Sequence, residues 1–339
     1  MKSSVMAVIA VMVCSVFSVG VAVAESGVVS AKTRDVEITY TATIESIPDG
    51  AQVIDVWLPI AQDTDGQRVS RVQVNYPNGG SISIEPEYGN KMWHKRFEAP
   101  FPESLAIEIE FDIHRSEIVI EEAKSLAATP KGKSVLALYL KPNFLVPVDL
   151  DPLNAIAREL LLASDPPIVA GRKIYDWLID EFTYNWQAPG AGKGDVRWAC
   201  DSKTGDCNDY HSMFLALCRN QGIPADHEFV FPIRSKRSEG VIPSYHCWAR
   251  FNVEGIGWIP IDASEADKHP ELREYNFGSQ SLSLMKFTHG RDVNLSPRKA
   301  GPPLNKFIHP YVEIDGSPYD ESLKYRVRFR DIEEQCCVS

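Results

Sequence analysis

The sequence predicts an α+β protein in which a small all-β sandwich precedes a domain of helices and strands. Three observations predict it. Between Lys32 and Arg115 apolar residues alternate with polar ones, the period of strands with one buried face. From about Ser116 to Leu150 that pattern breaks, and prolines stand at 142, 147 and 152. From Asp151 onward the apolar spacing becomes helical, with Ile156, Leu160 and Leu161 in one stripe and Ile174, Trp177 and Leu178 in another. The expected segments are a leader over 1–24, a β-sandwich over 32–115, a connector over 116–150, a catalytic domain over 151–310, and closing strands with a tail over 311–339.

At the N-terminus, Met1-Lys2 is followed by an almost wholly apolar run, Val5 to Val23, that ends in Ala22-Val23-Ala24. An early positive charge, a short apolar run and an A-x-A site read as a secretory signal peptide cut after Ala24. A retained anchor is the competing reading; the run is near the lower length limit for a span, and the cleavage site argues against it. Bulky Val13 before Cys14 does not fit a lipid-attachment cysteine. The expected product is periplasmic or secreted, with no membrane span after cleavage. It would keep 34 basic against 46 acidic residues, since only Lys2 is lost. That acidic balance argues against nucleic acid or an anionic membrane as partner.

Within the sandwich, Val36, Ile38 and Tyr40 form one alternating set and Ile107, Ile109, Phe111 and Ile113 another. Pro48-Asp49-Gly50, Pro77-Asn78-Gly79-Gly80 and Tyr88-Gly89-Asn90 supply turns. Asp63-Thr64-Asp65-Gly66 starts like a calcium loop but lacks the later ligands and the closing Glu, so it reads as a turn. Gly132-Lys133-Ser134 lacks the first glycine of a phosphate loop, because Ala127 stands there. Pro189 to Asp195 is glycine-rich without a preceding strand, and reads as a mobile loop rather than a nucleotide site. Asp262 to Pro303 is expected to be irregular, a binding surface or lid, with closing strands at 310–314 and 323–332.

The chemistry concentrates in Gly205-Asp206-Cys207-Asn208-Asp209-Tyr210-His211, a turn leading into a helix. Asp206 suits the N-cap, and Cys207, His211, Phe214 and Cys218 recur on one helix face. A cysteine in the first turn has its thiolate favoured by the positive helix end. Alone it would more often be a small buried packing residue. Further on, Tyr245 to Phe251 and Gly257 to Ser264 read as two strands of a hairpin. A turn centred on Glu254 places His246 opposite Asp262, close enough to hydrogen-bond, so that the carboxylate orients the imidazole.

Asp206-Cys207-Asn208-Asp209-Tyr210, Gly222-Ile223-Pro224-Ala225, His246-Cys247-Trp248 and Gly257-Trp258 with Asp262 together resemble the transglutaminase-like superfamily. The quoted motifs run from Asp206 to Asp262. The resemblance implies a papain-like core and a Cys-His-Asp triad of Cys207, His246 and Asp262. It also implies acyl transfer on peptide or carboxamide bonds through a thioester, without cofactor or metal. Some relatives use a tryptophan indole as an oxyanion donor; Trp186 and Trp198 are the candidates here, with core packing the commoner role for each. The substrate expected is a protein or peptide, with cell-wall peptide suited to an exported protein. Hydrolysis is expected over amine crosslinking, because it needs no second binding site. A non-catalytic module on the same fold is the alternative of another class. Six cysteines remain after cleavage. Cys200 with Cys247 is the expected disulfide, against the reading that Cys247 and Cys218 are simply buried thiols.

Overall fold

The computed structural model describes residues 32–332, apart from 77–78, 122, 124–135 and 235. The leader, Gly132-Lys133-Ser134 and the pair Cys336–Cys337 lie outside the described residues.

The first stretch forms six strands, β1 (Thr33–Ile44), β2 (Val53–Pro59), β3 (Gln67–Asn75), β4 (Ser81–Ile84), β5 (Lys91–Glu98) and β6 (Leu105–Ser116). A pair of residues, β7 (Ile118–Val119), follows. The alternating residues of β1 and β6 are buried, from Val36 to Ile44 and from Ile107 to Ile113. They pack against Ile54, Val56 and Leu58 of the facing sheet. Burying each such side chain is worth roughly 1.5–3 kcal/mol, which is what sets strand register here.

Helices α1 (Asp151–Leu160) and α2 (Pro167–Glu181), the short strand β8 (Thr183–Tyr184), helix α3 (Val196–Ser202), the short strand β9 (Thr204–Gly205) and helix α4 (Cys207–Asn220) come next. Then follow β10 (Ala225–Pro232), β11 (Glu239–Ile242), β12 (His246–Val253), β13 (Gly257–Ile261), α5 (Ala263–Lys268), β14 (Ser279–Gln280), β15 (Leu284–His289), β16 (Tyr311–Ile314), β17 (Ser317–Pro318) and β18 (Leu323–Asp331). The layout is α+β, with an antiparallel sheet of order β13-β12-β10-β15 carrying helix α4 on one face.

The sandwich does not follow chain order. Its sheets are β11-β18-β1-β6-β3 and β17-β16-β2-β5-β4. Strand β18 pairs with β1 from Val36 to Ile44, and β16 pairs with β2. The closing strands therefore cover edges that the first 115 residues would leave open, which removes a template for aggregation. Strand β11, from between the helices and the hairpin, lies at the outer edge of the same sheet. The sandwich core also takes in Phe229, Phe231, Cys247, Met285 and Phe287 from the other sheet.

Among the strands not foreseen, two belong to the helix-bearing sheet. Strand β10 has no alternation because seven of its eight residues are buried, with elements packed on both faces. Strand β15 and helix α5 lie inside the stretch expected to be irregular from Asp262 to Pro303. That stretch supplies an edge strand of the helix-bearing sheet, not only a surface.

Charge is buried beneath that sheet. Glu228 accepts from Trp248 Nε1 at 2.5 Å and Arg250 Nη1 lies 3.0 Å away, with Lys286 Nζ also on the carboxylate. Asp226 accepts from Arg250 Nη2 at 2.9 Å and contacts His289 Nδ1 at 2.7 Å. Each buried carboxylate is paired and hydrogen-bonded, the condition for tolerating it there.

Candidate active site

Helix α4 starts where it does for local reasons. Gly205 has φ +145° and a Cβ there would stand 2.3 Å from Asp209 Oδ2, so only glycine fits. Asp206 caps the helix through Asn208 N at 2.7 Å, and Asp209 reaches back to Asp206 N at 2.9 Å, a reciprocal capping box. Cys207 is thus the first helical residue. A second glycine serves close approach: at Gly171 of α2 a Cβ would meet the Phe251 ring at 2.5 Å, and Phe251 in turn packs on Phe214 of α4, ring centroids 5.6 Å apart.

His246 opens β12, and Asp262 follows the last residue of β13. The hairpin register is Val253↔Gly257, Asn252↔Trp258, Phe251↔Ile259, Arg250↔Pro260 and Ala249↔Ile261. The turn is centred on Gly255, not Glu254, so the expected register is shifted by two residues. Because strand side chains alternate with period two, that shift leaves both residues on the expected face. Asp262 is a diagonal neighbour rather than directly opposite, and it has left the strand to cap α5 through Glu265 N at 2.9 Å. The outcome is a close pair, His246 Nε2 to Asp262 Oδ2 at 2.6 Å. Nδ1 of the same ring is left for the hydrogen bond with Cys207.

All three groups are buried. Cys247 is the leading cause of the Cys207 shift: its S–H donates to the Cys207 sulfur, and with the His246 hydrogen bond and charge it outweighs burial and holds the thiol down at about 6. Burial would lower His246, but the Asp262 charge and hydrogen bond and the Cys207 thiolate prevail and hold the imidazole well above its usual value. Burial would raise Asp262, but His246, hydrogen bonding and His211 hold it at about 2. At neutral pH the trio is therefore thiolate, imidazolium and carboxylate.

The site lies in a cleft of about 870 Å³ bordered by Tyr184, Trp186, Cys207, Tyr245, His246 and Asp262. Trp186 stands at its mouth, 66% exposed. Trp198 does not line the cleft; its indole lies against Gly190, where a Cβ would meet Nε1 at 2.8 Å. Of the two expected oxyanion donors only Trp186 reaches the cleft.

The described cysteines, Cys200, Cys207, Cys218 and Cys247, are all unpaired and buried. The expected Cys200–Cys247 disulfide is absent: the Cys200 sulfur faces Met213 Sδ at 3.7 Å, while Cys247 lies against Cys207 and 3.9 Å from His211 Nδ1. Strand alternation turns Cys247 toward helix α4, as it does Ala249 and Phe251.

Three groups around the site were not assigned from the sequence. His211 places Nε2 3.5 Å from Asp262 Oδ1, so the carboxylate sits between two imidazoles. Burial lowers His211 to about 4, which keeps it neutral. Its i+4 spacing from Cys207 was the available signal. Cys247 was read as a disulfide partner of Cys200 or a buried thiol, not as a neighbour of the Cys207 sulfur. Arg291 is fully buried and donates to Lys193 O at 2.9 Å, Ser212 Oγ at 2.5 Å and Asn305 Oδ1. Together with Asp209, which accepts from Gly192 N and Gly194 N at 2.8 and 2.9 Å, it ties down the glycine-rich loop read from sequence as mobile.

A cysteine at a helix start, facing a strand histidine held by an aspartate, on an antiparallel sheet behind a helix, is the arrangement of a transglutaminase-like core. Residues 154–263 match the model of the Transglutaminase-like superfamily, and this stretch of the chain is such a core. The chain is 25% identical over 324 aligned positions to a Haemophilus influenzae protein described only as uncharacterized, across 82% of this chain and 86% of that one. Its fold is shared with a candidate cysteine protease of known structure from Cytophaga hutchinsonii, at TM-score 0.60 and 16% identity, over 90% of this chain and 93% of that one.

Cys247 gives a prediction that arises here. In Cys247→Ala the thiolate loses its strongest donor, so the pH midpoint for iodoacetamide labelling of Cys207 is expected to rise from about 6 toward the ~8.5 of an ordinary thiol. The readout is peptide mapping of the labelled residue across pH. An unchanged midpoint would show that His246 alone sets the thiolate.

Proposed function

We propose that the protein is an exported cysteine hydrolase that cleaves peptide or carboxamide bonds through a thioester. One observation carries the reading: Cys207, at the start of α4, is hydrogen-bonded to His246, which Asp262 holds at 2.6 Å. The Cys207 thiolate attacks the carbonyl carbon, and the C=O electron pair moves to oxygen. The backbone N–H of Cys207 is one donor to that oxyanion. As the tetrahedral adduct collapses, His246 gives its proton to the departing amine and a thioester remains. Neutral His246 then takes a proton from water, whose oxygen attacks the thioester; the adduct collapses, the C–S bond breaks, and the acid leaves as the Cys207 thiolate is restored beside the imidazolium. Asp262 does not change protonation; it fixes the ring and stabilises the imidazolium.

The wide cleft admits water to the thioester, which favours hydrolysis over transfer to an amine. Its walls include Pro232, Ile233, Pro243 and Leu284, an apolar surface suited to a peptide side chain. The C. hutchinsonii protein's description as a candidate cysteine protease supports the same choice. No helix among the described residues is long and apolar enough to cross a membrane. Export rests on the leader at 1–24 and is tested by N-terminal sequencing, which should find Glu25 first and not Met1.

The test is incubation with a peptide library that includes cell-wall peptides, read by mass spectrometry. Products carrying an added water with new termini support the hydrolase. Ammonia loss with joined peptides would make it a crosslinking transglutaminase. Neither kind of product would leave a binding module on this fold.

A further inference from the structure

We propose that Tyr245 donates the second oxyanion hydrogen bond and that Lys306 positions and polarises it. Tyr245 directly precedes His246 and lines the same cleft as Cys207. Its hydroxyl oxygen accepts from Lys306 Nζ at 2.6 Å and from Asn208 Nδ2 at 2.8 Å. An ammonium and an amide NH₂ are donors only, and a hydroxyl has two acceptor positions. Both are filled, so the phenol's own hydrogen points in the one direction left. Asn208 Nδ2 is also 4.0 Å from Cys207 Sγ, which ties that hydroxyl to the sulfur's immediate surroundings.

The ring is held. His309 packs edge-on at 5.1 Å between centroids, Phe229 lies at 6.3 Å, and Lys306 Nζ stands 4.8 Å from the ring centroid. Lys306 also donates to Gly192 O at 3.3 Å, fixing it against the loop that Asp209 and Arg291 secure. Burial and the nearby Cys207 charge raise the Tyr245 pKa, so the phenol keeps the proton it needs as a donor. Neither tryptophan has this arrangement: Trp186 is largely exposed, and Trp198 lies off the cleft.

The chemistry requires no proton transfer from Tyr245. When the Cys207 sulfur forms its bond to the carbonyl carbon, the π pair becomes the oxyanion's lone pair, and the Tyr245 O–H donates to it. On collapse the pair returns to C=O and the hydrogen bond weakens. Tyr245 would touch the reacting atoms, and Lys306 would act through it.

This inference rests on Cys207 being the nucleophile, and the test separates the two. Iodoacetamide reacts at an sp³ carbon and forms no oxyanion, whereas p-nitrophenyl acetate acylates through one. Both rates are measured on the full exported chain at the plateau of each pH profile. In Tyr245→Phe, acylation is expected to fall about 100-fold, the scale of losing one oxyanion donor, while alkylation of Cys207 stays at the wild-type rate. Lys306→Met should show a smaller fall in acylation alone, and Lys306→Arg should recover it. Wild-type acylation by Tyr245→Phe, or an equal fall in both reactions, would overturn the proposal. Should the phenylalanine chain fail to fold, Lys306→Met decides by the same ratio. A wild-type chain that neither alkylates at Cys207 nor acylates would overturn the nucleophile, and this inference with it.

Discussion

Cys207→Ala is expected to lose about 10⁶-fold in turnover on whichever library peptide the native chain cleaves, the scale at which a covalent nucleophile's removal is felt. Its cleft and melting temperature should change little, because a small buried side chain is exchanged for a smaller one in a site held by other bonds. The native chain should also show the ion pair directly. Labelling of Cys207 should follow a midpoint near 6, and turnover should rise through the same pH, since the thiolate is the reactive form. On the alkaline side activity should hold until the imidazolium, raised well above its ordinary value by Asp262 and Cys207, finally loses its proton. Retained turnover in Cys207→Ala would remove the triad altogether. A labelling midpoint near 8.5 would leave the cysteine in place but deny it an activated thiolate.

Asp262→Asn is expected to lower turnover by about 10³- to 10⁴-fold while leaving the chain folded. The carboxamide oxygen can still cap α5 at Glu265 N and accept from Ser264 Oγ, bonds now made at 2.9 and 3.0 Å. What it cannot supply is the negative charge beside His246. Burial then dominates, the imidazole's pKa falls, and the ring is neutral over the range where the native one is charged. The alkaline limb of the activity profile should move to lower pH and the Cys207 midpoint upward, both because the imidazolium has gone. Loss of turnover comes from wrong tautomer and lost charge, not from lost structure. A variant with native turnover and an unmoved alkaline limb would show that His246 is oriented by something else. A variant that unfolds would show that the buried carboxylate between His246 and His211 is chiefly a structural anchor.

Much of the site was legible because it is built from short-range rules. Gly205, Asp206 and Cys207 specify a turn, a cap and a first-turn thiol within three residues, and the structure has a full capping box there. The hairpin was legible in kind but not in register, since residues 252–256 allow the turn to sit on Glu254 or Gly255. The period of two in strand geometry protected the inference: a shift of two keeps the face, and a shift of one would have separated His246 from Asp262. Strand β10 was not legible, because a strand covered on both faces carries no alternation. Strand β15 was hidden among turn-forming residues around it.

By itself, then, the sequence determined the α+β class, the helix-start cysteine and the hairpin that carries His246 and Asp262, each from a pattern local to its own segment. Only the tertiary structure decided that β16 to β18 close the sandwich begun by β1, that Cys247 faces Cys207 rather than Cys200, and that Lys306 and Asn208 meet on the Tyr245 hydroxyl. Those contacts join residues as far apart as Val36 and Asp331. Their pairing depends on which edges and faces remain open after the local elements form, and no local pattern in the chain carries that information.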